Sequence, residues 1–438
     1  MLRESAFKVL KKLNNNGFQA YIVGGYVRDS ILNIDSNDID ITTNATPNDV
    51  KEIFDIKNSN GEKYLSVVVN QDEYSFEVTT FRKDISYSDH RHPVTEITNS
   101  LDEDLKRRDF TINAIAVDVY GNIIDYYYGV NSVSNKTISL VDSLGTGLVN
   151  DPLRILRAIR LALKHNFNID DNTKKQMIDK KELLNDVAPE RIFEELKKII
   201  VSNNVDKYMD EYREIFFEII PELKECNGFN QHNDYHIYDV YTHTINVVKN
   251  APKNIYIRLA SIFHDIGKPR AFKLDENQVG HFLGHANISN DIFKNFADKY
   301  KLDNKTKMIV SNLVLYHEDD LSSKNNKIYN FYKKFNMNRI EMLFDLKRAD
   351  IMSQNQKYIA RIEYINKLEE KYVAIRDKYN SITYSGDDLI SLGYTGKTIG
   401  LILDDVKRQI INNRLDADTE SINKYVLKNY KVVGWEKK

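Results

Sequence analysis

Along the first 145 residues short alternating runs are interleaved with short helical ones. Phe18–Val23 is rich in aromatic and β-branched residues and ends in Gly24-Gly25; Tyr26–Leu32 follows with helical spacing. Apolar and polar positions alternate over Asp38–Thr43, Tyr64–Val69 and Tyr74–Phe81, which predicts three strands. Residues 82–98 mix charge, Ser, Tyr, His and Pro without a period, which predicts a mobile loop. From about residue 150 the period becomes that of longer helices: Asp151–Lys164, Pro189–Val201 and Val205–Glu218. The polar stretch Asn227–Asn233 marks a boundary, and a second helical block runs to about residue 360. Residues 361–438 read as a helical tail, broken by a turn at Gly393–Gly400 before a helix over Leu401–Asn412. The pattern is that of an α+β chain in four parts, 1–145, 146–226, 227–360 and 361–438.

Composition narrows this picture. A chain of 438 residues fits about three domains, and 42% hydrophobic residues supply a core and exclude wholesale disorder. With 17 Gly and 7 Pro, helices are expected to dominate. A single cysteine, Cys226, rules out an intramolecular disulfide and argues against a cysteine-built zinc site. The start, MLRESAFKVLKKL, is too charged for a secretory signal, and no apolar run reaches the length of a membrane span. A soluble, cytoplasmic protein without a membrane partner is expected. The net charge of −2, from 62 basic and 64 acidic side chains, argues against a globally basic nucleic-acid binder but leaves room for a local basic surface.

Asn37-Asp38-Ile39-Asp40-Ile41 carries the first candidate chemistry. On a strand, Asp38 and Asp40 share one face and Ile39 and Ile41 the other. Two adjacent carboxylates repel unless a divalent cation lies between them, and oxygen ligands favour Mg²⁺. Glu77, on a neighbouring strand, is a candidate third acid. Upstream, Gly24 and Gly25 permit close backbone approach where a strand gives way to a helix, and Arg28 stands one turn in, suited to a phosphate oxygen. Arg107-Arg108-Asp109 and Asn113 add two cations for phosphates and two groups for sugar hydroxyls or base edges.

The runs YIVGGYVRDSIL, NDIDITT, LKRRDFTINAIAVD, NDPLRILRAIRLA and APERIFEEL, in this order, resemble the bacterial-type CCA-adding tRNA nucleotidyltransferases and their poly(A) polymerase relatives. The resemblance covers residues 18 to about 220. It implies a polymerase-β-like palm over 1–145, a helical neck over 146–226, and addition of CCA to tRNA 3′ ends from CTP and ATP without a nucleic-acid template. Asp38 and Asp40 match the catalytic pair that binds two Mg²⁺ ions. Gly24, Gly25, Arg28 and Arg108 match the triphosphate contacts, and Asp109 and Asn113 the ribose and nucleotide contacts. Asp151, Arg154, Arg157 and Arg160 recur every third residue; the first two match the pair that reads the Watson–Crick edge of the incoming base. Asn150 stands where the family carries Glu. FRKDISYSDHRHP resembles the flexible loop needed for the final A. CCA addition, addition of the terminal A alone, and poly(A) synthesis all remain compatible with these motifs.

A second centre is announced by histidine. Seven of the ten histidines lie between positions 232 and 317. The order His236, Asp239, His243, then His264-Asp265-x-Gly267-Lys268, then His281, His285, His317 and Asp350 resembles the HD metal-dependent phosphohydrolase domain over roughly 230–355. The resemblance implies His243, His264, Asp265 and Asp350 as ligands of a divalent transition metal or Mg²⁺. It leaves His281, His285 and His317 as second-site ligands or phosphate contacts, Lys268 as a phosphate contact, and His236 as a structural residue. In the tail, Gly393, Gly396 and Lys397 precede a helix and resemble the segment with which CCA-adding enzymes grip tRNA. An HD phosphohydrolase whose palm only positions RNA is the alternative architecture of function.

Overall fold

The computed structural model describes residues 1–56, 65–87 and 93–431. Two compact units emerge: Met1–Pro221 with Lys299–Lys301, and Glu222–Asp298 with the chain from Leu302 onward. Among the described residues no helix is long and apolar enough to cross a membrane.

The first unit is built on a six-stranded mixed sheet. Its strands are β1 (Ala20–Val23), β2 (Asp40–Thr43), β3 (Ser66–Gln71) and β4 (Tyr74–Thr80), with a separate hairpin of β5 (Arg82–Tyr87) and β6 (Pro93–Ile97) between these and β7 (Ala116–Val117) and β8 (Ile123–Ile124). The order is β3-β4-β2-β1-β7-β8, with β2 and β4 parallel and the other neighbours antiparallel. The helix Leu2–Asn15 lays Ala6, Val9, Leu10 and Leu13 against the sheet side of the core, the i, i+3, i+4, i+7 stripe of an amphipathic helix. The helix Pro47–Phe54 starts sharply because Thr46 and Asp49 form a reciprocal capping box and Pro47 is pre-set for the first turn.

The strand predictions hold in kind, with later starts: β1 begins at Ala20 and β2 at Asp40, so Asp38 lies just ahead of its strand. Tyr64 falls outside the described residues. The predicted loop over 82–98 is instead largely an antiparallel hairpin, with only residues 88–92 outside the description. Its pairing includes a charge pair, Lys83 opposite Glu96 at 3.2 Å, so there was no apolar alternation to read. The predicted helix Asp151–Lys164 begins only at Arg154; Pro152 bars Asp151 from helical dihedrals, and Asp151 ends the short helix Thr146–Asn150 with φ −137° and ψ 87°. The predicted helix Val205–Glu218 breaks at Tyr212 into Val205–Glu211 and Arg213–Ile219.

Among its described residues the second unit is helical apart from one small strand pair, Lys273–Leu274 with Gly280–His281. Its centre is the helix Ile255–Phe263, whose residues from Ile257 onward are all buried. The helices Val240–Asn250, Asn304–Tyr316 and Ile340–Met352 surround it. In the tail, the helix predicted over Leu401–Asn412 starts earlier, at Lys397. Leu389, Ile402, Val406, Ile410, Ile422 and Val426 give the tail a core of its own.

Gly129 is packed where a side chain has no room: an added Cβ would collide with the Thr111 carbonyl oxygen and meet Ile115 Cγ1 at 2.5 Å. Gly129→Ala is expected to cost about 1–3 kcal/mol of stability, read as a lower midpoint in urea unfolding of the full chain.

Candidate active sites

The first unit holds a cleft of about 500 Å³ lined by Gly24, Gly25, Arg28, Asp38, Asp40, Arg107, Arg108, Asp109, Asn113, Asp151, Arg154, Arg157, Arg160, Leu161 and Lys164. Seven cationic side chains face four carboxylates there, a surplus suited to a polyanion. All twelve residues that the sequence assigned to the nucleotide and its metals lie in this one wall.

Asp40 opens β2 between Val23 on β1 and Glu77 on β4. Ile39 and Ile41 are buried while Asp38 is exposed and Asp40 half-buried, so the alternation read from the sequence is kept. Burial, then Asp38, push the Asp40 carboxyl above its ordinary range, with Arg108 opposing and Glu77 adding. That crowding disfavours the charged form, and a divalent cation relieves it. Gly24 has φ +77°, a backbone that favours glycine, and an added Cβ there would stand 3.3 Å from Arg108 Nη1 and 3.5 Å from Asp40 Oδ2. The glycine therefore brings the main chain against the acid and its arginine.

The arginines are braced rather than loose. Arg28 donates through Nε to Asp29 Oδ1 at 2.8 Å and through Nη1 to Asn113 Oδ1 at 2.6 Å. Asn113 donates onward to Asp109 Oδ1 at 3.0 Å, and Arg157 pairs with Asp109 Oδ2 at 2.7 Å. Burial opposes the charge on Asp109, but Arg157 and Arg154 outweigh it and hold the carboxyl below its ordinary range. Arg154 donates to the carbonyls of Arg107 (2.7 Å) and Arg108 (3.2 Å), crossing Gly147, where an added Cβ would lie 2.5 Å from its Nη1. Asp151 meets Arg191 at 3.5 Å, and Arg160 is bound by Glu195. The helix Pro189–Ile200 thus backs both Asp151 and Arg160, the two ends of the three-residue recurrence.

The second unit gathers His243, His264, Asp265, His285, His317 and Asp350 around one buried carboxylate. Asp265 Oδ2 lies 3.5 Å from His243 Nε2 and 3.2 Å from His264 Nε2; Oδ1 lies 3.1 Å from His285 Nε2 and 3.5 Å from His317 Nε2. Asp350 Oδ1 is 3.1 Å from His243 Nε2. The other ring nitrogens face main-chain carbonyls: His264 Nδ1 to Ser261 at 2.8 Å, His285 Nδ1 to Phe282 at 2.9 Å, His317 Nδ1 to Val314 at 2.7 Å and His243 Nδ1 to Ser353 at 3.4 Å. That arrangement favours Nδ1–H and turns the Nε2 atoms inward, where they could meet a metal; His285 Nε2 and His317 Nε2 stand 3.2 Å apart. His243 Nε2 and His264 Nε2 are buried without a hydrogen-bond partner, as unfilled ligand positions are. His243, His264 and Asp265 form one group with metal-ligand spacing, and Asp265, His285 and His317 a second. Asp265 is opposed by burial but is held well below its ordinary range by His264 and Lys268.

The cluster opens into a cavity of about 430 Å³. Lys268 reaches Asp265 Oδ2 at 2.7 Å and Gln231 at 2.8 Å, so it sits on the carboxylate. His281 is not part of the cluster: it is more than half exposed and paired with Asp275 at 2.9 Å at the cavity mouth. His236, read as structural, lines the cavity 3.4 Å from Lys268 Nζ; burial pushes its imidazole down to about 3, so it is neutral. Gly267 of the HD motif is required by close approach: a Cβ there would fall 2.7 Å from the His285 carbonyl oxygen and the Ser289 amide. In the tail, Gly396 has φ +62° and precedes Lys397, the first residue of its helix, and both are exposed.

Several contributors were not assigned from the sequence: Asp29, Gly147, Lys164, Arg191 and Glu195 in the first unit, and Gln231, Glu318, Lys347, Gln354 and Arg361 in the second. Arg191 and Glu195 lie within APERIFEEL, so the motif carried the signal without saying which residues turn inward.

Family models match this layout: "Poly A polymerase head domain" over residues 20–139, "Probable RNA and SrmB- binding site of polymerase A" over 166–226, and "HD domain" over 234–365. The fold and the acidic, arginine-lined cleft define a nucleotidyltransferase with a polymerase head followed by a helical HD domain. A CCA-adding enzyme of Lactobacillus johnsonii is 30% identical over 431 residues, covering 97% of each chain, and one of Staphylococcus epidermidis is 38% identical over 236 residues, 53% of this chain and 58% of that one. The chain belongs to the CCA-adding enzyme family. Its fold is also that of the Bacillus stearothermophilus CCA-adding enzyme in complex with CTP (TM-score 0.67, 22% identity, covering 97% of this chain and 96% of that). A Thermotoga maritima CCA-adding enzyme complexed with tRNA has the same fold (TM-score 0.63, 18% identity, covering 96% and 94%). The α+β expectation and the family resemblance are borne out.

Gly147→Ala should displace the Arg154 guanidinium from its two carbonyls while leaving the fold intact. The expected result is a several-fold rise in nucleotide KM at nearly unchanged melting temperature. Behind Arg28, His165 is buried with neither ring nitrogen hydrogen-bonded among the described residues, and burial, with Arg28, pushes it down to about 4 from 6.5. The unfolded chain binds that proton first, so this residue makes stability fall as pH drops from 6.5 towards 4. His165→Phe is expected to flatten the unfolding free energy across that window, whatever it does to stability at neutral pH.

Proposed function

We propose that this enzyme adds CCA, or its terminal A, to the 3′ ends of tRNA from CTP and ATP, by direct transfer of the nucleotidyl group. The observation that carries the reading is the crowding of Asp38, Asp40 and Glu77 beside an arginine-walled cleft. Relatives support the substrates, since solved CCA-adding enzymes of this fold include complexes with CTP, ATP and tRNA. Asp38 and Asp40 would hold Mg²⁺; when bound, the metal supplies charge neutralisation for the attacking hydroxyl and the departing pyrophosphate. Arg28 and Arg108 hold the triphosphate, approached by the backbone at Gly24 and Gly25. Asp109 and Asn113 face the ribose. Arg154 donates and Asp151 accepts at the base edge, with Arg157 and Arg160 holding the helix face that presents them. The proposed division into palm (1–145) and neck (146–226) follows these roles.

The HD site is proposed as a phosphohydrolase or phosphodiesterase centre within 227–360, with His243, His264, Asp265 and Asp350 as one ligand set and Asp265, His285 and His317 as a second. Imidazole with carboxylate suits a divalent transition metal, and such a metal supplies a water nucleophile at neutral pH. Lys268 stands where it would meet a phosphate oxygen. The tail, 361–438, is proposed to contact the tRNA backbone through Gly393, Gly396 and Lys397.

Incubation of tRNA lacking its 3′ CCA with labelled CTP and ATP should add at most three nucleotides, and long A tracts on generic RNA would favour poly(A) synthesis instead. Asp40→Asn is expected to lower incorporation by on the order of 10³-fold or more. His264→Ala should lose bound metal and the release of phosphate from p-nitrophenyl phosphate in Mn²⁺ or Ni²⁺, a loss separable from that of Asp40→Asn. Phosphate release that survives His264→Ala would remove the HD assignment.

A further inference from the structure

Asp104 lies outside the nucleotide cleft, yet it is wholly buried and every direction around its carboxylate is used. Arg107 donates to Oδ1 through Nε (3.0 Å) and Nη2 (2.8 Å), and the Arg82 amide donates to the same oxygen at 3.3 Å. Oδ2 accepts from Thr42 Oγ1 at 3.2 Å and from Arg108 Nη2 at 3.5 Å. A buried carboxylate persists only when paired and hydrogen-bonded, and the partners here come from three segments: β2, the hairpin root and the Arg107-Arg108 pair. Thr42 is two residues beyond Asp40 on β2, and Arg82 is the root of the β5–β6 hairpin. Arg108 is stretched between Asp104 at Nη2 and the bare flank of Gly24, beside Asp40 Oδ2, at Nη1. The carbonyls of Arg107 and Arg108 in turn receive Arg154.

We propose that Asp104 is a positioning residue for nucleotidyl transfer: it touches no substrate, and it fixes Arg108 against Asp40, Arg107 beneath Arg154, and the hairpin root to both. Its charge matters as well as its shape. Asn at this place would keep the volume, remove the counter-charge of two guanidinium groups, and turn an amide N–H towards part of this ring of donors, although Thr42 Oγ1 keeps the Thr79 carbonyl as a second acceptor at 3.3 Å. This inference rests on the nucleotide site proposed above.

The test compares wild type, Asp104→Asn, Thr42→Val, Arg108→Lys and the double variant Asp104→Asn/Arg108→Lys. Nucleotide KM and kcat are measured on tRNA ending one step before C addition and one step before A addition, alongside melting temperature. Asp104→Asn should raise KM about tenfold for both CTP and ATP, with a smaller fall in kcat. Thr42→Val, which removes one donor and no charge, should raise KM about two- to threefold and serves as the reading if Asp104→Asn does not fold. Because part of the effect of Asp104 runs through Arg108, the double variant should be less impaired than the product of the two single variants. Wild-type KM in folded Asp104→Asn, effects of the two single variants that multiply, or an unfolded Asp104→Asn together with wild-type KM in Thr42→Val would each overturn the proposal. Failure of the underlying nucleotide site looks different: Arg108→Lys would keep wild-type KM and Asp40→Asn would stay active.

Discussion

Asp40 is fixed between Val23 and Glu77 by strand pairing, and a one-residue slip of β2 would turn its carboxylate into the core and bring Ile41 to the surface. This constraint makes a cleft out of otherwise ordinary parts. It holds three acids close enough to raise the Asp40 carboxyl, and it sets the point against which Gly24 and Arg108 are packed. The arginines then follow in order, each tied to an acid or a carbonyl before any nucleotide arrives: Arg28 to Asp29, Arg157 to Asp109, Arg154 to two main-chain oxygens. A site prepared in this way loses little side-chain freedom when a polyanion binds.

The HD unit reaches pre-organisation by another route. Main-chain carbonyls at Ser261, Phe282 and Val314, each three residues before its histidine, hold the Nδ1 side of His264, His285 and His317 and turn their Nε2 atoms to one centre. Asp265 can then offer one oxygen to each side, and Gly267 allows the helix His285–Lys299 to bring His285 within reach, while His317 comes from the end of the helix Asn304–Tyr316.

Much of this was legible in the amino-acid order, and the rest was not for definite reasons. The carboxylate strand, the glycine turn and the HD motif are local patterns whose spacing is itself the chemistry. Asp104 and Gly147 were not legible, because their roles depend on partners such as Thr42, Arg82 and Arg154 that only the fold brings near. The hairpin over 82–97 escaped because charge pairing leaves no apolar rhythm. Histidine density alone could not say that Asp275 draws His281 to the rim of the cavity, outside the buried cluster, or that His236 lines it as well. Pro152 shortened the Arg154 helix by a rule visible in the sequence but outweighed there by the three-residue recurrence of arginine.

Lys268, seated on the shared carboxylate of the HD centre, alters what that buried acid costs the fold. A ligand cage of imidazoles and acids commonly needs its ion before it can assemble. Here an ammonium group belonging to the polypeptide stands on the acid as an internal counter-charge. The burden of keeping that carboxylate out of water is thereby shared with a side chain of the same polypeptide.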